Sequence, residues 1–131
     1  MAVVPLLSDE EAGAEALAVF DDIRAKRQKD YINTFWRALV HDPATLKATW
    51  DRAQIVMAPG ALDPLVKELI HISVSTANGC DYRVHSHSAA AKAKGMSPAQ
   101  HAELLSVIAL AAQTNALPTA LSVPVDDRFK A

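Results

Sequence analysis

Four side chains in the middle of the sequence have the types and spacing for thiol and proton-transfer chemistry: Glu68, Cys80, Arg83 and His87. Cys80 and His87 are seven positions apart, so on one helix they share a face within about 20°. Arg83 lies about one turn from each. A thiol attacks as its thiolate. A cysteine at a helix N-terminus meets unsatisfied N–H groups and the positive end of the macrodipole, and both favour negative charge. Arg83 would add a cation. His87 would accept the thiol proton or return one to a leaving oxygen. Glu68 would orient His87 or shuttle protons. On its own, a lone cysteine is as well suited to serve as a small buried hydrophobe. Arg83 also has two readings: it activates Cys80, or it pairs with Glu68.

Other reactive groups near this set carry less. Tyr82 and His85 flank the site as lining residues. His85 points about 140° away from Cys80 and would act across a subunit boundary. Residues at i and i+2 do not face one another on a helix, so Cys80, His85 and His87 are not expected to bind a metal, and no cofactor is implied. His71 and His101 read as solvated or capping groups.

The elements that must hold these residues are helices. Ser8-Asp9-Glu10-Glu11 has the form of a capping box, opening a helix with Leu17, Phe20 and Ile23 that ends in the charged stretch Arg24 to Asp30. A short helix from Asn33 to His41 carries Phe35 and Trp36. Asp42-Pro43 and Asp63-Pro64 each place an N-cap before proline at the first helical position. The first starts a helix with Leu46, Trp50, Ala53 and Met57, which Ala58-Pro59-Gly60 stops. The second starts a helix with Leu65, Val66, Leu69, Ile70, Ile72 and Val74, which Asn78-Gly79 interrupts. Glu68 and Ser75 lie on nearly the same face of it. The next helix runs from Cys80 through an alanine run to Lys94, with Gly95 as its stop. The break at Asn78-Gly79 would fold these two helices together and let Glu68, Cys80 and His87 converge. Ser97-Pro98-Ala99-Gln100 caps a last helix that is apolar nearly all round from Leu104 to Ala112, as a central or subunit-interface helix would be. Pro118 should kink or end it, and Val125 to Ala131 reads as a mobile tail.

Composition sets the outer limits. The 131 residues suit one domain, 1–131. Half are hydrophobic, yet only 5% are aromatic, and 25 alanines fill the gap. That favours closely packed helices over a sandwich or barrel. The net charge of −2 and the absence of a Lys/Arg run speak against nucleic acid as a partner. A single cysteine rules out an internal disulfide. The start of the chain lacks the pattern of a signal peptide, and no apolar run reaches the ~20 residues of a membrane span. The cytoplasm is the expected compartment.

The stretch from Glu68 to Ser97 resembles the AhpD-like alkylhydroperoxidase and carboxymuconolactone decarboxylase family. That family's motif is a Glu, eleven residues, then Cys-x-x-Cys-x-x-x-His, followed by an alanine-rich helix, a glycine and a new helix start. Glu68, Cys80 and His87 fall on the motif, and Ala89-Ala90-Ala91-Lys92-Ala93-Lys94-Gly95 continues it. His41-Asp42-Pro43 is similar to the helix junction before the motif. The second cysteine is replaced by Arg83.

The resemblance implies an all-α, single-domain bundle of about six helices that assembles as a homo-oligomer, with trimers or hexamers as precedents. It implies a thiol-dependent peroxidase with Cys80 as nucleophile, His87 as acid/base and Glu68 as relay. Without the motif's second thiol, a sulfenic acid on Cys80 would be resolved by an external thiol reductant. The decarboxylase branch implies instead cofactor-free acid–base chemistry on a small carboxylated lactone, with Glu68, His87 and His85 as acid–base groups and Arg83 holding the carboxylate. A third reading is a non-catalytic oligomeric scaffold with a degenerate site.

Overall fold

The computed structural model describes residues 1–130, and the elements among them are helical. In chain order they are α1 (Ala14–Arg27), α2 (Thr34–Ala38), a 3-10 turn (Leu39–His41), α3 (Pro43–Met57), α4 (Pro64–Ala77), α5 (Asp81–Ala93), α6 (Pro98–Ala120) and a second 3-10 turn (Asp127–Phe129). The all-α class and the six helices agree with the sequence expectation. Residue contacts divide the chain into two units, 1–58 and 59 onward.

The first unit is held by apolar and aromatic burial. Ala16, Val19, Phe20 and Ile23 of α1 pack with Ile32, Trp36, Val40, Leu46 and Trp50. The Trp36 and Trp50 rings meet edge to face at 5.5 Å and 84°, the arrangement favoured by the ring quadrupoles. The Arg27 guanidinium lies 5.6 Å from the Trp36 ring centre and 5.3 Å from that of Trp50, covering both with a cation. The Trp50 indole N–H, which could not be left dry, donates to Asp22 at 2.7 Å. The segment before α1 is pinned by polar contacts. Asp9 accepts from Arg24 at 2.5 Å and from Arg37 at 2.9 Å, Arg37 also reaches the Leu7 carbonyl, and a His41 ring nitrogen meets the Pro5 carbonyl.

The Ser8–Glu11 capping box forms in both directions, at 2.8 and 3.3 Å. It closes a single turn rather than opening α1, however. Gly13 is extended (φ −68°, ψ 163°) and becomes the N-cap of a helix that begins at Ala14. The box is a local device, and the apolar stripe that sustains α1 starts only at Ala16.

The second unit is an α4–α5 hairpin with α6 against α4. Asp63 caps α4 through Leu65 N–H, with Pro64 at the first position. The β-branched run that follows is helical because cap and length outweigh its strand propensity. The hairpin turns at Gly79, whose φ of +65° suits a residue without Cβ. The Cys80 N–H then bonds back to the Ser75 carbonyl at 2.9 Å. α5 ends at the Lys94 C-cap, followed by Gly95 at φ +94°. The apolar core is small: Ile72, Ala91 and Met96, with Leu65, Leu69, Leu104 and Ile108 packed around them. Ala91 is fully buried, which is how the alanine run lets α5 approach its neighbours.

α6 has a complete capping box from Ser97 and Gln100, yet it contains no buried residue. Leu105, Val107, Leu110 and Leu117 are all exposed. α6 is therefore not the central helix that was one of the two expectations for it. Pro118 sits inside the final turn, and the chain leaves through Ser122 at φ +51°. Part of the expected tail is a 3-10 turn at Asp127–Phe129, while Ala131 lies outside the described residues. No helix among the described residues is long and apolar enough to cross a membrane.

Candidate active site

The site is built on the α4–α5 hairpin. Glu68 is about a third of the way along α4, facing α5, and is almost fully buried at 4% exposure. A buried carboxylate has to be paired, and Glu68 is paired twice. Its Oε2 accepts from His87 Nδ1 at 2.6 Å, and its Oε1 accepts from Lys94 Nζ at 2.7 Å. Burial pushes its pKa up, but the hydrogen bonds and charges of His87 and Lys94 outweigh that and hold it below the ordinary glutamate value. Glu68 is therefore an ionised acceptor.

That fixes the state of His87. An ionised carboxylate only accepts, so Nδ1 of His87 carries the proton. In the neutral ring Nε2 is then the bare acceptor. This Nε2 is buried and has no hydrogen-bond partner among the described residues. Such a nitrogen is costly to leave dry and is chemically able to accept a proton. Carboxylate, imidazole and open nitrogen form an acid–base pair in which the third group orients the base.

Two more residues complete the cluster. Lys94, the C-cap of α5, closes the far side of Glu68. Its side chain is 39% exposed, so it links the buried carboxylate to the surface. His71, one turn after Glu68 on α4, lies flat on His87, with centroids 3.9 Å apart and planes 14° apart. Burial, the neighbouring His87 and the Arg83 charge hold its pKa below the ordinary histidine value against the opposing pull of Glu68.

Of the residues expected at the site, Glu68 and His87 are in direct contact. Cys80 is the N-cap of α5, half-buried and free. It receives the helix-terminus environment expected for it, since the first α5 amides follow directly. It does not bond to His87 Nε2. Seven residues correspond to an axial rise of about 10 Å, so a shared face does not place thiol and imidazole in contact. Arg83 stands between them on α5, half-buried, with its guanidinium 5.9 Å from the Tyr82 ring centre. Tyr82 and His85 are exposed on the outer side of α5. The cation that meets Glu68 is Lys94. No group of three metal-ligating side chains occurs among the described residues. A broad concavity of about 640 Å³ lies instead in the first unit, lined by Glu15, Asp22, Lys47 and Trp50 among others. It holds none of the acid–base groups.

Lys94 is not singled out by the sequence reading, and His71, expected to be a solvated or capping group, is instead half-buried and stacked on His87. A signal existed for both. Cys80, His87 and Lys94 recur at intervals of seven, and His71 is three positions after Glu68, so each falls on the face of a residue already singled out.

Three comparisons bear on what this arrangement belongs to. A family model described as the carboxymuconolactone decarboxylase family matches residues 43–126. The crystal structure of an alkylhydroperoxidase AhpD core from Rhodospirillum rubrum matches with 58% identity and a TM-score of 0.96, over 100% of this chain and 98% of that one. Comparison with curated proteins gives no match.

Proposed function

The chain belongs to the carboxymuconolactone decarboxylase family, and from that premise we propose that it is a thiol-dependent hydroperoxidase working with one cysteine. The observation that carries the reading is the Glu68–His87 pair with its open Nε2, on the helix whose N-terminus presents Cys80. In the proposed cycle the Cys80 thiolate attacks the terminal oxygen of an organic hydroperoxide. The O–O bond breaks and the sulfur is oxidised to a sulfenic acid. The alkoxide leaves and is protonated to the alcohol. An external thiol attacks the sulfenic sulfur and releases water. A second external thiol reduces the mixed disulfide and restores Cys80. The net reaction consumes one hydroperoxide and two thiols, and yields alcohol, water and a disulfide.

His87 Nε2 takes the thiol proton and returns it to the alkoxide. Given the separation along α5, the proton travels through bridging water or substrate. Glu68 stabilises the imidazolium that forms, and Lys94 keeps Glu68 ionised. The reductant is a free thiol, which fits a reducing compartment such as the cytoplasm. The neutral, apolar surface of α6, without a charged residue between Glu103 and Asp126, supports assembly as a trimer or hexamer.

Steady-state reduction of tert-butyl hydroperoxide with dithiothreitol tests the reading. Cys80→Ser should lose turnover; a variant as fast as wild type would remove the nucleophile assignment.

One observation favours a second reading. The acid–base cluster is complete without the thiol, because His87 bonds to Glu68 and not to Cys80. It would serve cofactor-free proton transfer on a small carboxylated lactone, with Arg83 holding the carboxylate. In that case Cys80→Ser is nearly silent, while His87→Ala and Arg83→Ala abolish turnover.

A further inference from the structure

We propose that His71 is a positioning residue for the acid–base site: its flat face fixes the plane of the His87 ring and so aims Nε2. The inference rests on the reading of His87 as the proton-transfer group.

One hydrogen bond fixes an edge of a ring but not its plane. The bond from His87 Nδ1 to Glu68 Oε2 anchors one edge of the imidazole. It leaves the ring free to rock about the line of that bond, which swings Nε2 through an arc. No partner holds Nε2 on the opposite edge. The plane must be set by packing on the face of the ring, and the group there is His71, at 3.9 Å and nearly parallel. His71 and Glu68 leave the same face of α4 one turn apart, so a single helix supplies both the anchor for the edge and the platform for the face. A buried aliphatic chain would fill the space but present no plane.

The chemistry also suits a second imidazole. When His87 carries a proton, a neutral ring beneath it offers a π-face to the cation. Two stacked imidazoliums would repel. Charged and titratable groups near His71 are His87 and Arg83 on α5, Lys94 at the end of α5, and Glu68 on its own helix. Burial together with the first two keeps His71 in its neutral form, against the pull of Glu68. The platform thus stays uncharged while its partner cycles.

The test reads the His87 ring directly by long-range ¹H–¹⁵N NMR of the imidazole nitrogens, alongside kcat and KM for tert-butyl hydroperoxide. The variants are His71→Phe, which keeps a flat face, and His71→Leu, which fills similar space without one. His71→Ala is a further control, with folding of each variant checked by circular dichroism. Glu68 keeps Nδ1 protonated in every variant, and the account expects wild type and His71→Phe to show a single sharp set of His87 ring resonances. His71→Leu and His71→Ala should broaden or split that set as the ring rocks about the Glu68 bond, with kcat reduced roughly tenfold by misalignment and KM little changed. A His71→Leu protein with the sharp wild-type His87 resonances would overturn the proposal. So would a His71→Phe protein as perturbed as His71→Leu, since that would assign the effect to the polar atoms of His71. The NMR arm needs no turnover, so a failure of the peroxidase reading leaves it decisive.

Discussion

The two units of this chain use burial in opposite ways. The first buries nine apolar residues, two tryptophans among them, in one cluster. The second buries three, of which the largest is Ile72 or Met96 and the third an alanine, yet it also buries Glu68 and Ser75. Its longest helix, α6, buries nothing. The first unit is stabilised by its own core. The second devotes its protected interior to an ionised carboxylate and its partners and leaves apolar surface exposed on α6. A fold that keeps a charge in its interior needs every partner of that charge in place, and here those partners are His87 and Lys94.

The comparison is sharpest at the level of single substitutions. Trp50→Ala in the first unit should destabilise the protein by about 3–5 kcal/mol, the usual cost of deleting a large buried aromatic. It also strands Asp22 and the Trp36 edge. Chemical denaturation checks this, and a loss under about 1 kcal/mol would mean that the aromatic cluster does not hold the unit. In the second unit the vulnerable residue is polar. Lys94→Met should cost roughly 1–3 kcal/mol, reduced from the fully buried case because the lysine is partly exposed and His87 remains on Glu68. It should also reduce turnover, since Glu68 no longer stays ionised as readily.

A smaller effect appears on acidification. His71 is held below its ordinary value, near 6.5, so the folded state resists protonation there. As pH falls through that ordinary value, the unfolded chain takes up the proton first, and stability is lost. Above it the contribution is fully present. Glu68, held below its ordinary value of 4.5, adds a separate loss further down, as pH falls through its folded value. Melting temperatures recorded from pH 8 downward should show the first decline in wild type but not in His71→Phe. The smallest effect on the fold is expected on α6. Leu110→Asp should leave unfolding of the isolated chain within about 0.5 kcal/mol, while sedimentation should show the proposed oligomer shifted to monomer. Unchanged sedimentation would show that α6 is not the covered face.

The sequence made the helical scaffold legible because its caps are local and chemically explicit. Asp42-Pro43, Asp63-Pro64 and Ser97-Pro98 each sit at an observed helix start. The capping box at Ser8 misplaced the start of α1 because a cap needs a helix worth propagating, and the apolar stripe begins beyond Gly13. Glu68 and His87 were legible through motif spacing. Their contact with Lys94 and His71 was not, since it depends on how two helices rotate against each other, although the seven-residue and three-residue intervals pointed to both. The separation of Cys80 from His87 shows the limit of face arithmetic: angle around a helix says nothing about distance along it.

The central claim is that Glu68 acts through His87, as one relay. A double-mutant cycle of Glu68→Gln and His87→Gln, read as kcat/KM for tert-butyl hydroperoxide with dithiothreitol, tests it most directly. Residues that act as a unit are strongly non-additive. The account predicts a loss of about a hundredfold for His87→Gln, in the range of general acid–base catalysis, and no further loss on adding Glu68→Gln. Losses that multiply, or a His87→Gln protein as fast as wild type, would contradict it.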